Sequence, residues 1–254
     1  MNIKGILFLV MGAGTALGHD AEAELPLGRG HSHESVIGHV HVGWDSHYAS
    51  EGRDALDGDS LWTASAEFSW EHLAGGIWYG SSPDQSYDEL QLTLGLSQKI
   101  GEVEFYGGYT YLRFPFDGTD DHELGAGLVW SELPLGLALA ADVSYSSEAE
   151  GYFAEFSMFR ELQLSDQWSL EAAGVFGVNQ GYVSDGHDGA NHFALGLSTE
   201  YALTEEYSIL SHVSYNWAAG REPDASGDEL LVNFFHGGFK NLTSPGLRCA
   251  SSCR

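Results

Sequence analysis

The sequence predicts an all-β protein: a single up-and-down barrel of about twelve antiparallel strands. Three observations predict it. Apolar and polar residues alternate with a period of two from residue 36 onward. No stretch of any length shows the 3.6-residue period of a helix. The links between alternating segments are short and long by turns, as in a meander elaborated at one end.

The chain begins Met1-Asn2-Ile3-Lys4, then an apolar run from Ile6 to Ala16, then Ala16-Leu17-Gly18. A basic start, an apolar stretch and small residues at a cleavage site form the pattern of a secretory signal peptide. Residues 1–18 are therefore expected to direct export, with Ala21-Glu22-Ala23 as the second choice of site. Residues 19–34 are polar, Gly-rich and His-bearing, and read as a flexible N-terminal segment. Strand 1 follows, with Val36, Gly38, Val40, Val42 and Trp44 alternating with Ile37, His39, His41, Gly43 and Asp45. Trp62, Ala64, Ala66, Phe68 and Trp70 repeat the pattern, as do Leu90, Leu92, Leu94 and Leu96, and Phe193, Leu195, Leu197 and Tyr201. Continued in this way, strands are expected near 35–45, 60–71, 74–81, 88–98, 103–114, 122–131, 136–146, 151–162, 167–179, 191–202, 206–217 and 229–239. The barrel thus occupies 35–239, and 240–254 is a C-terminal tail. Residues 48–59, 82–87, 115–121, 181–190 and 218–228 are expected to form loops on the outer side.

Composition narrows the function classes. Thirty-seven acidic residues against ten basic ones give a net charge of −27, which excludes a phosphate-binding surface and a nucleic-acid partner. Aromatic residues at 13% exclude a disordered acidic tail. Beyond the N-terminus no apolar run is long enough for a membrane-spanning helix. The two cysteines, Cys249 and Cys253, supply no core disulfide framework; they close a small local loop or sit in a tail without structural role. Nothing in the sequence calls for a cofactor.

The apolar face decides between a soluble sandwich and a membrane barrel. Its opposite face is dominated by small residues and acids, which suits a hydrated lumen. Trp62 and Trp70 share one face, and eight residues of tilted strand separate them by about 20 Å along a membrane normal, close to the apolar band of a membrane barrel. Trp44, Trp78, Trp130, Trp168 and Trp217 also fall near strand ends, where aromatic residues form interfacial belts. All seven are assigned to the membrane interface, with outer-membrane lipid as the surrounding partner.

These features resemble the bacterial outer-membrane β-barrels of porin-like type. More narrowly, Val42-Gly43-Trp44-Asp45-Ser46-His47-Tyr48, Ser50-Glu51-Gly52-Arg53 and Gly75-Gly76-Ile77-Trp78-Tyr79-Gly80 resemble the opening of the uncharacterised Gcw-type conserved hypothetical proteins. Tyr87-Asp88-Glu89-Leu90 and Phe105-Tyr106-Gly107-Gly108-Tyr109 continue that likeness through the first half of the chain. The resemblance implies a location in the bacterial outer membrane and carries no reaction. One departure stands out: outer-membrane barrels end on a strand whose last residue is aromatic. Here Leu230–Phe239 is followed by a tail with three of the ten basic residues and both cysteines, either a periplasmic appendage or an altered end.

Candidate site residues follow from the alternation. Asp88-Glu89-Leu90, His122-Glu123-Leu124 and Asp228-Glu229-Leu230 repeat one element at the head of three strands. With Leu on the apolar face, the preceding Glu points inward at the outer mouth. Glu67, Glu89, Glu123, Asp142, Glu155, Glu171 and Glu200 are the expected pore-lining acids, a set that attracts cations and repels anions. Two metal readings are weaker. His39 and His41 share a strand face but lack a completing ligand, and Ser184 to His192, with Asp185, His187 and Asp188, lacks the spacing of a calcium loop and reads as a solvated turn. His122, His187, His192 and His212 could serve as a catalytic base, yet no nucleophile motif accompanies them. The expectation is a passive channel for small cationic or neutral solutes. The alternatives are a non-conducting structural or adhesive barrel and an outer-membrane lipid hydrolase.

Overall fold

Strand alternation converts directly into sidedness. Along Leu61–Trp70, the even-numbered residues are exposed and most of the odd-numbered ones are covered. Leu96 is 62% exposed and Leu124 61%, whereas Glu89 is fully enclosed. Large apolar side chains point outward and polar ones point in, the reverse of a water-soluble core. The computed structural model describes residues 36–183 and 187–219 in full and the backbone of 229–240. The expected signal peptide, the segment 19–34 and the tail beyond Lys240 lie outside the described residues.

The elements are β1 (Ile37–Asp45), β2 (Ala49–Ser50), β3 (Arg53–Asp54), β4 (Leu61–Trp70), β5 (Leu73–Ser81), β6 (Asp88–Ile100), β7 (Val103–Phe114), β8 (Thr119–Trp130), β9 (Ala138–Ser146), β10 (Gly151–Ser165), β11 (Trp168–Gln180), β12 (Gly189–Ala202), β13 (Tyr207–Ala218) and β14 (Glu229–Lys240). All but β2 and β3 form one closed antiparallel barrel of twelve strands, each paired with its neighbours along the chain. Pairing of β1 with β14, from His39↔Lys240 to Asp45↔Asn233, completes the ring. Closure satisfies the backbone groups that an open sheet leaves at its edges.

All twelve expected strands are present. The links 71–72, 101–102, 131–137, 166–167 and 203–206 lie at one end, and 46–60, 82–87, 115–118, 147–150, 181–188 and 219–228 at the other. The link 131–137 is longer than its sequence suggested, because Pro134–Gly136 makes a 3₁₀ turn through Leu135 and Gly136, both at positive φ.

Six of the seven tryptophans face outward near strand ends. Trp44, which pairs with Trp62, and Trp217 face outward at the long-loop end. Trp70, Trp130 and Trp168 face outward at the short-turn end. Two of the indole N–H groups find polar partners at the rim: Trp130 donates to Glu102 at 3.4 Å, and Trp168 donates to Thr199. Trp78 corrects the expectation. Its neighbours Ile77 and Tyr79 are the exposed ones, so Trp78 points inward, where it packs on Tyr48 and the buried Leu56–Leu61 cluster. It belongs to the inside of the mouth.

Leu94 lies in the middle of β6, exposed within the apolar band. Leu94→Arg is expected to destabilise the barrel folded in lipid vesicles by about 2–4 kcal/mol in urea titrations. A variant as stable as the parent would show that this face does not meet lipid.

Candidate functional site

The long loop 46–60 does not project from the barrel. Ala49-Ser50 and Arg53-Asp54 pair as a small hairpin, turned by Glu51 and Gly52, both at positive φ. Two left-handed residues between short strands suit the tight hairpin turn that matches strand twist. At its base the hairpin is fixed to β5 and β6. Tyr48 donates its hydroxyl to Glu89 Oε2 at 3.0 Å, Tyr87 donates to the same oxygen, and Gln91 Nε2 donates to Glu89 Oε1 at 2.7 Å. Tyr48 stacks on Trp78 at 6.2 Å and lies 6.0 Å from Tyr87, so the polar knot sits on an aromatic bed. Gln85 Nε2 donates to the Leu56 carbonyl at 2.9 Å, clasping loop 82–87 onto the hairpin loop. Burial, then the Glu89 carboxylate, holds the Tyr48 and Tyr87 phenols above their ordinary pKa, which keeps both as donors.

The tip reaches the other wall. Asn191 Nδ2 donates to the Glu51 carbonyl at 2.6 Å, and a Cβ on Gly52 would overlap the His192 ring. Asn191 and His192 lie on β12, six strands from β6 in either direction round the ring. The hairpin therefore spans the lumen. Arg53, 3.4 Å from Glu51, travels with it. His192 is buried, stacked on Phe153 at 6.2 Å, and its Nε2 lies 3.4 Å from Glu155 Oε1. A Cβ on Gly177 would also collide with that ring, so glycine on β11 makes the space that His192 fills.

After β11 the chain turns inward at Tyr182 and Val183. Tyr182 donates to Glu123 on β8 and packs on Phe153 at 5.7 Å. Burial, then Glu51 and Glu123, raises its phenol pKa. The enclosed Asn179 organises the turn, accepting from the N–H groups of Tyr182 and Val183 and donating to the His187 carbonyl at 2.6 Å.

The sequence-predicted residues can now be placed. Glu67, Glu89, Glu123, Asp142, Glu155, Glu171 and Glu200 all lie on the lumen side of their strands. Glu89 differs from the expectation: three donors enclose its carboxylate, so it anchors the hairpin and lines no open path. Glu123, Asp142, Glu155 and Glu171 each keep one buried oxygen without a hydrogen bond. His39 and His41 are stacked, 6.3 Å between ring centroids, with His39 opposite Glu67. Asp188 accepts from Gly181 N–H at 2.7 Å and Gln180 at 3.0 Å, closing the 181–188 turn. His187 lies 3.0 Å from the Ala190 carbonyl, and Asp185 lies outside the described residues. Among the described residues no three His, Cys, Asp or Glu side chains form a metal-holding group.

The candidate bases are scattered. His122 is on the outer surface with the Tyr109 hydroxyl at 2.6 Å, and His212 faces the lumen with Ser198 Oγ at 2.9 Å. Sequence reading missed Tyr48, Glu51, Gly52, Tyr87 and Tyr182. The pair Glu51-Gly52, with glycine at a turn position, is the one local signal, and nothing local marks its seat on β12.

A closed twelve-strand antiparallel barrel with an apolar exterior and an acid-lined interior is the architecture of a transmembrane β-barrel. The fold is similar to the COG4313 outer membrane channel from Pseudomonas putida F1, with 13% identity, a TM-score of 0.50, and 87% of this chain and 100% of that one covered. It is similar to the KdgM porin, with 7% identity, a TM-score of 0.54, and 80% and 98% covered. The NanC porin shares 10% identity at a TM-score of 0.50, with 82% and 100% covered. No family model matches the chain, and no curated protein matches it in sequence. The porin-like fold is thus shown, while the narrower Gcw-type resemblance gains no support.

Gly52→Val is expected to unseat the hairpin, through the clash with His192 and the positive φ. Added protease should then cut within 49–54 while the barrel stays folded, and the parent should resist. Equal resistance of both would place the tip away from β12. Glu89→Gln should loosen the same loop, since bonds to a charged acceptor are worth about 1.5–3 kcal/mol each at most.

Proposed function

We propose that this protein is a passive channel of the bacterial outer membrane for small cationic or neutral solutes, exported by a signal peptide that is then removed. The long-loop end faces outward, and the hairpin and the 181–188 loop narrow its mouth. The observation that carries this reading is the charge of the wall. Glu67, Asp142, Glu155, Glu171 and Glu200 face inward. Four Lys or Arg side chains are described. Arg113 and Arg160 lie on the exposed outer face, and Lys99, on the lumen side of β6 by alternation, sits at the short-turn end opposite Glu104. Arg53 is in the mouth, paired with Glu51. A lumen of this sign concentrates cations and excludes anions.

The hairpin across the mouth favours a second reading, a closed barrel with a structural or adhesive role. Hydrolysis of lipid gains no such support, because the Ser198–His212 contact faces the lumen, away from the apolar exterior.

Reconstitution in a planar bilayer separates the two. The channel reading expects cation-selective steps of current. Glu123→Gln with Glu155→Gln should lower the cation-over-anion permeability ratio, and more at low salt than at high salt because screening is weaker there. A barrel that folds, inserts and stays silent would favour the structural reading. Unchanged selectivity in the double variant would remove these acids as the filter.

A further inference from the structure

The four acids with an oxygen lacking a hydrogen bond lie on consecutive strands, β8 to β11. Glu123 is level with Ser146 and Gly151. Asp142 and Glu155 face each other four residues nearer the short-turn end. Glu171 faces Glu161, six residues further on. At about 3.3 Å per residue, the acid levels are separated by about 13 Å and then about 20 Å along the strands. The wall thus carries charge at intervals, not at a point.

Each level is incomplete by itself. Glu123 is 2% exposed and Glu171 8%, and one carboxylate oxygen of each makes no hydrogen bond. Buried polar atoms without partners are rare and costly. Asp142 and Glu155 are directly paired carboxyl groups, and His192 Nε2 lies 3.4 Å from Glu155 Oε1. A Cβ on Gly127 would meet Asp142 Oδ1 and the Tyr106 hydroxyl, and neither oxygen has a hydrogen bond. Two acceptors and a possible donor therefore crowd one side-chain-free notch. Between the first two levels the row carries Gly125 on β8, Ser144 on β9, Phe153 on β10 and Asn179 on β11, with Gly95 and Gly108 beside it on β6 and β7. The row is thus free of large side chains at Gly125 and Ser144 and presents an aromatic ring at Phe153.

A bare metal ion does not fit, because no chelating group forms among the described residues. The fitting ligand has several N–H donors, positive charge spread along its length, and apolar segments between the charges. We propose that the β8–β11 wall is a binding track for linear oligoamines, whose ammonium groups supply donors to Glu123, Asp142, Glu155 and Glu171 in turn. The methylene segments lie against Gly125 and Ser144, and the Phe153 and Tyr182 rings favour the cationic groups passing them. This rests on the channel reading, since the track runs down the lumen.

Two measurements test it, with spermine as the probe and magnesium as the compact divalent control. The first is calorimetric binding to the detergent-folded barrel; the second is block of potassium current in a planar bilayer. Spermine should bind and block at concentrations where magnesium does neither. Glu155→Gln with Glu171→Gln should weaken both effects by about tenfold, one charge-assisted contact being worth about that factor or more; heat-dependent gel migration verifies that the variant is folded. A conducting barrel on which spermine and magnesium act alike would overturn the track and leave the channel. Spermine binding lost in the variant, in a barrel that never conducts, would support the track and overturn the channel. Absence of spermine binding to the folded parent would overturn the track.

Discussion

Closing the sheet through β1 and β14 is the constraint on which the remaining structure depends. A ring of twelve strands leaves no edge, so every strand has exactly two faces to dispose of, one outward and one inward. The outward face became apolar and the inward one polar, and the alternation of every strand is tied to that choice. A one-residue slip in any strand would carry leucines into the lumen and acids out. The register from Glu123 through Thr110 and Thr93 to Glu67 keeps one inward row unbroken across the β4–β8 wall.

Filling the interior is a second demand, and here glycine does much of the positioning. Inward glycines at 127 and 177 remove a side chain from the wall so that Tyr106, Asp142 and His192 can occupy the space. The same economy of volume operates at Gly52, where the backbone of the hairpin lies directly on an imidazole ring. Polar groups in the mouth are thereby brought close without widening the barrel.

How much of this was legible in the sequence depends on the range of the interaction. The strands were legible because alternation is local: Leu90, Leu92, Leu94 and Leu96 announce their face without reference to any other segment. Sidedness of the lumen acids followed from the same pattern. Strand-end position alone puts Trp78 in the belt, whereas alternation with its outward neighbours Ile77 and Tyr79 turns it inward. Glu89 was placed on the lumen side, but nothing near it in sequence shows that Tyr48, from a loop 41 residues earlier, encloses it. The seat of Glu51 on Asn191, across 140 residues, is invisible to any local reading, since it is created only by ring closure.

That separation has a consequence for assembly. Residues 49–54 are made early, but the surface that receives them is built from β12, near the far end of the barrel. Until β12 is in place the tip has no docking partner, and its contacts are among the most non-local in the molecule, the kind that form slowly. The mouth therefore cannot be finished before β12 is in place, and a seated hairpin is a mark that the barrel has been built at least as far as that strand.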